Sequence, residues 1–562
     1  MAVAKSDRLR RLGVLTPVFS LRRDRDLGIG DTKALLEMVE WAASHKVGFL
    51  QLLPINETGA DHSPYNAISS VALDPLLIAL EDIAEISDAD IEKASANLVG
   101  DLNKNHLVDY EQVSAAKWSL LKKGFDLFWA VEDADTLFEA FCVEEAEWLV
   151  PYCKFRWLME LAGTEEWELW PDEYNTPEAA ESYLASMPVE EVERNLTFYA
   201  WVQWHAFSQW RKLREHAHQL DVKLMGDIPI GISYSSADVF FEPMWFDLEL
   251  SGGSPPETVF KDDAFACQWG QNWGIPIYRW DVLEKNDFSW WRRRIEKLTD
   301  IFHVFRIDHI LGFYRIYSFP WRPRRNEEFI GLTEKQAKDI TGGPLPEFFP
   351  RPDDTEENKA ANLADGDKYL RIIQDAAGAG EVVGEDLGCV PDYVRPNMEN
   401  LGIAGFKVCH WEVRGHGETV SGADYPECAF ATYATHDHDS IPAMWSGLKS
   451  MLGGLDHEGA LRGLELLSDF AGLPKGSRAD AYSDYGPVVK WALFDRLLKS
   501  NANYASLMIT DIIDSTERIN IPGTVGGKNW RYRLPWKLED MPEPLQNDCS
   551  RLKELIQISG RG

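Results

Sequence analysis

Three carboxylates, Asp308, Glu385 and Asp437, each follow a short apolar run. Acids spaced this way can share out the tasks of attacking a carbon, moving a proton and stabilising charge. The runs are His303-Val304-Phe305-Arg306-Ile307, Glu381-Val382-Val383-Gly384 and Ala429-Phe430-Ala431-Thr432-Tyr433. Arg306, two residues before Asp308, projects from the same face of a strand, so its guanidinium can hold that carboxylate ionised and oriented. Glu385 stands in Gly384-Glu385-Asp386-Leu387-Gly388, where glycine permits a sharp exit from a strand. Buried beside another carboxylate, such an acid has a raised pKa and can donate a proton. The run Thr435-His436-Asp437-His438-Asp439 has two readings. Alternating His and Asp could ligate a divalent metal that activates water. Alternatively, His436 and Asp437 bind sugar hydroxyls, with His438 and Asp439 in the loop behind. No second ligand cluster such as HExxH supports the first reading, so no metal is expected.

Acids so far apart in sequence meet only if the chain returns them to one place, and a barrel of parallel strands does so at its C-terminal mouth. Eight short apolar or β-branched runs fit such strands: Gly13–Val18, Phe49–Leu53, Leu224–Ile228, Val304–Asp308, Val382–Glu385, Phe406–Val408, Phe430–Tyr433 and Leu507–Thr510. They alternate with helical patterns, which predicts an α/β chain of the TIM (β/α)8 type, one catalytic domain over residues 1–562. Roughly 170 residues part the second run from the third, far more than a crossover helix needs. Residues 79–211 are acidic with periodic Leu, Phe and Trp, and are expected to form a mainly helical inserted subdomain. Within it Trp201, Trp204, Phe207 and Trp210 have the spacing of one buried helix face. Residues 319–379, rich in Pro and Arg, are expected to be a second, loop-rich insertion covering the mouth.

Composition narrows the partners. With 91 acidic against 57 basic side chains the formal charge is −34, which repels nucleic-acid phosphates and anionic membrane surfaces. No nucleic-acid or membrane partner is expected, and oligomeric state is left open. Seven scattered cysteines without a CxxC pair argue for reduced thiols. The basic, polar N-terminus lacks the apolar stretch of a secretory signal, so a cytoplasmic location is expected. Twenty-two tryptophans and eighteen tyrosines suit both core packing and stacking on sugar rings.

A series of segments in chain order carries a family resemblance: Leu27-Gly28-Ile29-Gly30-Asp31, Gln51-Leu52-Leu53-Pro54, Ser63-Pro64-Tyr65, Gly226-Asp227-Ile228-Pro229-Ile230, Trp273-Gly274-Ile275-Pro276-Ile277-Tyr278-Arg279-Trp280, Arg306-Ile307-Asp308-His309, Gly384-Glu385-Asp386-Leu387-Gly388, Thr435-His436-Asp437, and Arg518-Ile519-Asn520-Ile521-Pro522-Gly523-Thr524. The sequence resembles the 4-α-glucanotransferases, the amylomaltase or disproportionating enzymes of glycoside hydrolase family 77, relatives of the α-amylases. The resemblance implies Asp308 as nucleophile, Glu385 as general acid and base, and Asp437 as the carboxylate that grips sugar hydroxyls. It also implies Arg306 and His436 as their supports, and Tyr65, Asp227, Trp273, His309 and Asn520 as subsite residues. The expected reaction is retaining transfer of α-1,4-glucan segments, the alternative being an α-amylase-type hydrolase in which water is the acceptor. Sugar-to-sugar transfer needs neither redox nor phosphate activation, so no cofactor is implied. One departure concerns the loop from Pro255 to Gly270, which is longer than the family pattern and in which Phe260 or Phe265 would be the aromatic lid over the acceptor. Asp74 also stands where the family usually has Asn.

Overall fold

The computed structural model describes residues 10–98, 106–131, 135–257, 263–415, 417–474 and 483–562. Twelve strands occur among them: β1 Arg11–Leu15, β2 Phe49–Gln51, β3 Lys223–Ile228, β4 Phe246–Ser254, β5 Gln271–Tyr278, β6 Val304–Ile307, β7 Ile316–Phe319, β8 Glu347–Phe349, β9 Glu381–Gly384, β10 Ala404–Val408, β11 Ala429–Thr432 and β12 Tyr504–Met508. Eight of them close a barrel in the order β1-β2-β3-β6-β9-β10-β11-β12, with every neighbouring pair parallel. Each overlaps one of the eight runs read from the sequence, and the α/β barrel is the fold. Among the described residues no helix is long and apolar enough to cross a membrane.

The lumen is layered, and the layers explain where the polar groups lie. Its waist is filled by Phe49, Met225, Val304, Val383, Ala404, Phe406, Phe430 and Tyr504. Phe406 and Phe430 stack at 4.4 Å. Below the waist Lys223 pairs with Glu381, which also accepts from the Tyr504 hydroxyl. Above it lie the polar residues of the mouth, with the Arg306 guanidinium 5.6 Å over the Phe406 ring. The aromatic waist thus forms a dry floor under the site. Gly13 pairs with Phe49 in register, and a Cβ there would sit 2.1 Å from the Phe49 ring. Gly13→Ala is therefore expected to destabilise the barrel by ~1–3 kcal/mol, as overpacked cores do. An unchanged apparent Tm would show that the waist can give.

Between β2 and β3 run helices Asp88–Asn97, Tyr110–Trp129, Thr136–Glu144, Ala146–Ala162, Pro177–Ser186 and Val189–Gln219. In the last, Trp201, Phe207 and Trp210 are fully buried. That helix continues without a break through residue 211, where the sequence placed the end of an insertion, because its apolar stripe runs on from the inserted helices to the barrel. The expected loop-rich segment 319–379 also needs correction. Glu356–Ala377 is a helix of 22 residues that packs on the helix Ser289–Thr299 and on β9. The prolines that mark the segment as loop all precede this helix, and inside it Gly366 stands where a Cβ would lie 2.1 Å from the Tyr314 ring. Ahead of it come the helix Glu334–Thr341 and β8.

The sequence reading also missed a second sheet, antiparallel, in the order β5-β4-β7-β8. Its strands arise from the chain that follows β3 and β6, which sets it beside the mouth. The alternation in Phe246-Asp247-Leu248-Glu249-Leu250 has the period of two that marks such a strand.

Candidate active site

Asp308 and Glu385 are the first residues after β6 and β9, which are neighbours in the barrel. Their backbones are tied to the rim: Asp308 N–H donates to the Ile228 carbonyl at 2.9 Å, and Glu385 N–H to that of Ile307 at 2.9 Å. Asp437 lies in the turn after β11, on the same face of the barrel. The structure therefore brings the three acids to one mouth, on the fourth, fifth and seventh barrel strands.

Arg306 organises one wall. It is paired in register with Asp227 of β3, and its Nη1 reaches both Asp227 carboxylate oxygens at 2.6 and 2.5 Å. Its Nη2 lies 2.9 Å from Asp308 Oδ1. Burial disfavours the Arg306 charge, but Asp227 and Asp308 more than offset it, and the guanidinium pKa is raised. Asp227 also accepts from the Tyr65 hydroxyl at 2.6 Å. Burial, reinforced by Asp227, pushes the Tyr65 pKa well up, so the phenol stays a neutral donor. The loop bearing Tyr65 is braced by the inserted helices: Gln203 bonds both the N–H and the carbonyl of Leu73 at 2.9 Å, and Arg156 donates to Glu57 at 2.8 Å. Asp74 in this loop accepts from Leu76 N–H at 2.8 Å and so caps a short turn.

Glu385 is held far from its ordinary state. One carboxylate oxygen accepts from His309 N–H at 3.0 Å and the other from Leu387 N–H at 2.8 Å, which fixes its rotamer. Burial first, and then the Asp308 charge, push its pKa up to about 8, against the pull of Arg306 and the two N–H groups. His309 holds this position with a left-handed backbone, φ 45°. Its ring meets Trp273 edge-on at 4.8 Å, and burial lowers its pKa to about 4. Trp273 projects from β5 and is 37% exposed.

Asp437 has the opposite bias. Burial alone would raise its pKa, but His436, at 3.4 Å, and a 2.6 Å hydrogen bond from Asn520 bring it below the ordinary value. His436 stacks on Tyr65 at 5.2 Å. The metal reading of the His-Asp run finds no convergent ligands: His438 Nδ1 accepts from Thr435 N–H at 3.2 Å, and Asp439 faces Arg518. Among the described residues no group of three or more His, Cys, Asp or Glu side chains is placed to hold a metal ion.

The two candidate lid aromatics part ways. Phe260 lies outside the described residues. Phe265 is buried in the helix Ala264–Trp269, against Phe319 and Trp321, and is core of the second sheet rather than a cover for the acceptor. Sequence reasoning passed over Arg518, which donates to the Asp437 carbonyl, and Trp530, which packs on both Tyr65 and His436. Arg518 was legible from its place in the Asn520 segment. Trp530 comes from a loop with no periodic signal.

The sequence profile of the 4-alpha-glucanotransferase family, glycoside hydrolase family 77, matches residues 16–539. A curated 4-alpha-glucanotransferase of Thermus thermophilus is 31% identical over 503 residues, 86% of this chain and 87% of the relative. That of Chlamydia caviae is 29% identical over 548 residues, 94% of this chain and 91% of the relative. Among solved structures, the Streptococcus agalactiae amylomaltase in complex with acarbose superposes with a TM-score of 0.77 at 24% identity, over 98% of this chain and 100% of that one, a likeness of architecture. With 524 consecutive residues inside the profile, from 16 to 539, the chain belongs to the 4-alpha-glucanotransferase family.

Proposed function

We propose that this enzyme transfers α-1,4-glucan segments between maltooligosaccharides or larger glucans by a retaining double displacement, with Asp308 as nucleophile, Glu385 as acid and base, and Asp437 as the group that holds sugar hydroxyls and stabilises the transition state. The observation that carries this reading is the unequal electrostatics of the three acids: Arg306 beside Asp308, a Glu385 pKa of about 8, and an Asp437 pKa held low. In the first step Asp308 attacks the anomeric carbon while Glu385 gives its proton to the departing glycosidic oxygen. The product is a glycosyl ester on Asp308 and a free 4-hydroxyl on the leaving chain.

Esterification removes the Asp308 charge, which is the second cause of the raised Glu385 pKa. Glu385, a carboxylate once it has given up its proton, is then stable in that form, and it takes the proton of the incoming 4-hydroxyl as that oxygen attacks the anomeric carbon and expels Asp308. Two inversions restore the α linkage. Tyr65, Asp227, His436 and Asn520 line the donor side, and Trp273 and His309 the acceptor side. The scattered cysteines support a cytoplasmic location for this chemistry.

Incubation with maltotriose tests the reaction. Both longer and shorter oligomers, with glucose, are the expected products. Glucose and maltose without anything longer would make it a hydrolase.

A further inference from the structure

Beside Glu385 lies a cavity of about 180 Å³ whose lining includes Trp273, His309, Arg315, Phe348, Glu385 and Gly388, but none of Asp308, Asp437, Arg306 or Asp227. It therefore opens from the proton-shuttling acid, on the side away from the sugar that is attacked. A leaving chain departs there, and an acceptor enters there. Trp273, against His309, is the aromatic nearest in the chain of contacts to Glu385, because His309 N–H bonds that carboxylate.

A second flat surface lines the same cavity. Phe348, on β8, pairs in register with Tyr317 of β7, and the two rings meet edge-on at 5.3 Å. The Arg315 guanidinium lies 3.5 Å over the centre of the Phe348 ring. Arg315 is fixed in turn by Asp353 at 2.5 Å, and Asp353 also accepts from Asn362 and Tyr393, each at 2.9 Å. The ring is held on one face by a planar cation and on its edge by Tyr317, so its orientation is set before any ligand arrives. A rigid aromatic face costs little ordering entropy on binding and suits the apolar C–H face of a pyranose.

Given the transfer reaction proposed above, we infer that Phe348, backed by Arg315, is a platform for the acceptor's second glucose ring, one ring further from the new bond than Trp273. It selects acceptors of two or more glucose units over free glucose. The leaving chain and the acceptor share this cavity, so the effect of Phe348 falls on the KM of any chain that places a second ring there, and not on a single glucose.

The test compares glucose and maltose as acceptors at saturating amylose donor, in the parent, Phe348→Ala and Phe348→Leu. Leu keeps bulk but removes the flat face, and decides the matter if the Ala variant folds poorly by circular dichroism. Either folded variant is expected to raise the KM for maltose about tenfold (~1.4 kcal/mol) and to change the KM for glucose less than twofold. Equal changes for the two acceptors, or none for either, would overturn the platform. A parent enzyme that makes no longer oligomers from maltotriose would instead sink the transfer reaction itself, so the two failures are told apart.

Discussion

Asp308→Asn is expected to abolish transfer from maltotriose, lowering kcat by at least ~10⁴-fold, which is ~5.5 kcal/mol of transition-state stabilisation. The substitution is nearly isosteric, and Arg306 keeps its two contacts to Asp227, so the fold should survive with its Tm little changed. What disappears is the carboxylate that Arg306 Nη2 holds, together with the covalent intermediate it would form. Glu385→Gln separates the roles. With maltotriose it should lose ~10³-fold, since the leaving oxygen then departs without a proton. With α-maltosyl fluoride, whose fluoride needs no proton, formation of the glycosyl ester should proceed near the parent rate in Glu385→Gln and fail in Asp308→Asn. An Asp308→Asn protein within tenfold of the parent on maltotriose would remove Asp308 from the chemistry.

How much of this was legible in the sequence depends on whether the signal was local. Barrel strands bury both faces, so each reads as a mainly apolar run, and all eight are legible with ends displaced by a few residues. Glu385 and Asp308 announce themselves because a strand must end where its side chains turn polar. The second sheet was missed although β4 alternates in plain view, because its partners lie in other loops and pairing between loops leaves no trace in either one. The helix Glu356–Ala377 is hidden by the prolines that precede it, all between 320 and 352, and the contact that requires Gly366 is with Tyr314, far away in sequence.

The site divides along the same line. Arg306 beside Asp308 follows from strand geometry, since side chains two apart share a face. That Arg306 also clamps Asp227 depends on the register of β3 against β6, which no single segment encodes. Trp530, from an irregular loop, gains its role only when the loop after β12 folds back over the His436–Asp437 turn. Phe265 fell on the other side: an aromatic in a lid-like loop position was in fact committed to a core of its own.

Glu385→Gln should also make the protein more stable than the parent, and increasingly so as pH rises. The folded Glu385 pKa is about 8, against ~4.3 for glutamate in an unfolded chain. Between those values the native state holds a proton that the unfolded chain has released, so parent stability declines as pH increases from about 4.5 to about 8 and is level beyond. At its full extent the penalty is on the order of 5 kcal/mol. Gln has no proton to lose, and its stability curve should lack this decline. The two proteins should therefore unfold alike near pH 4.5 and diverge by several degrees in Tm by pH 9. Asp308→Asn should show a smaller decline than the parent, because it removes the neighbouring charge that helps raise Glu385. The same titration sets the alkaline limb of kcat/KM, which should fall near pH 8 as the acid loses its proton. Parallel stability curves for parent and Glu385→Gln from pH 5 to 9 would mean that Glu385 titrates as an ordinary carboxylate. Divergence would tie the two measurements to one cause: the burial that weakens the fold at neutral pH is what keeps a proton on Glu385, ready for the leaving oxygen.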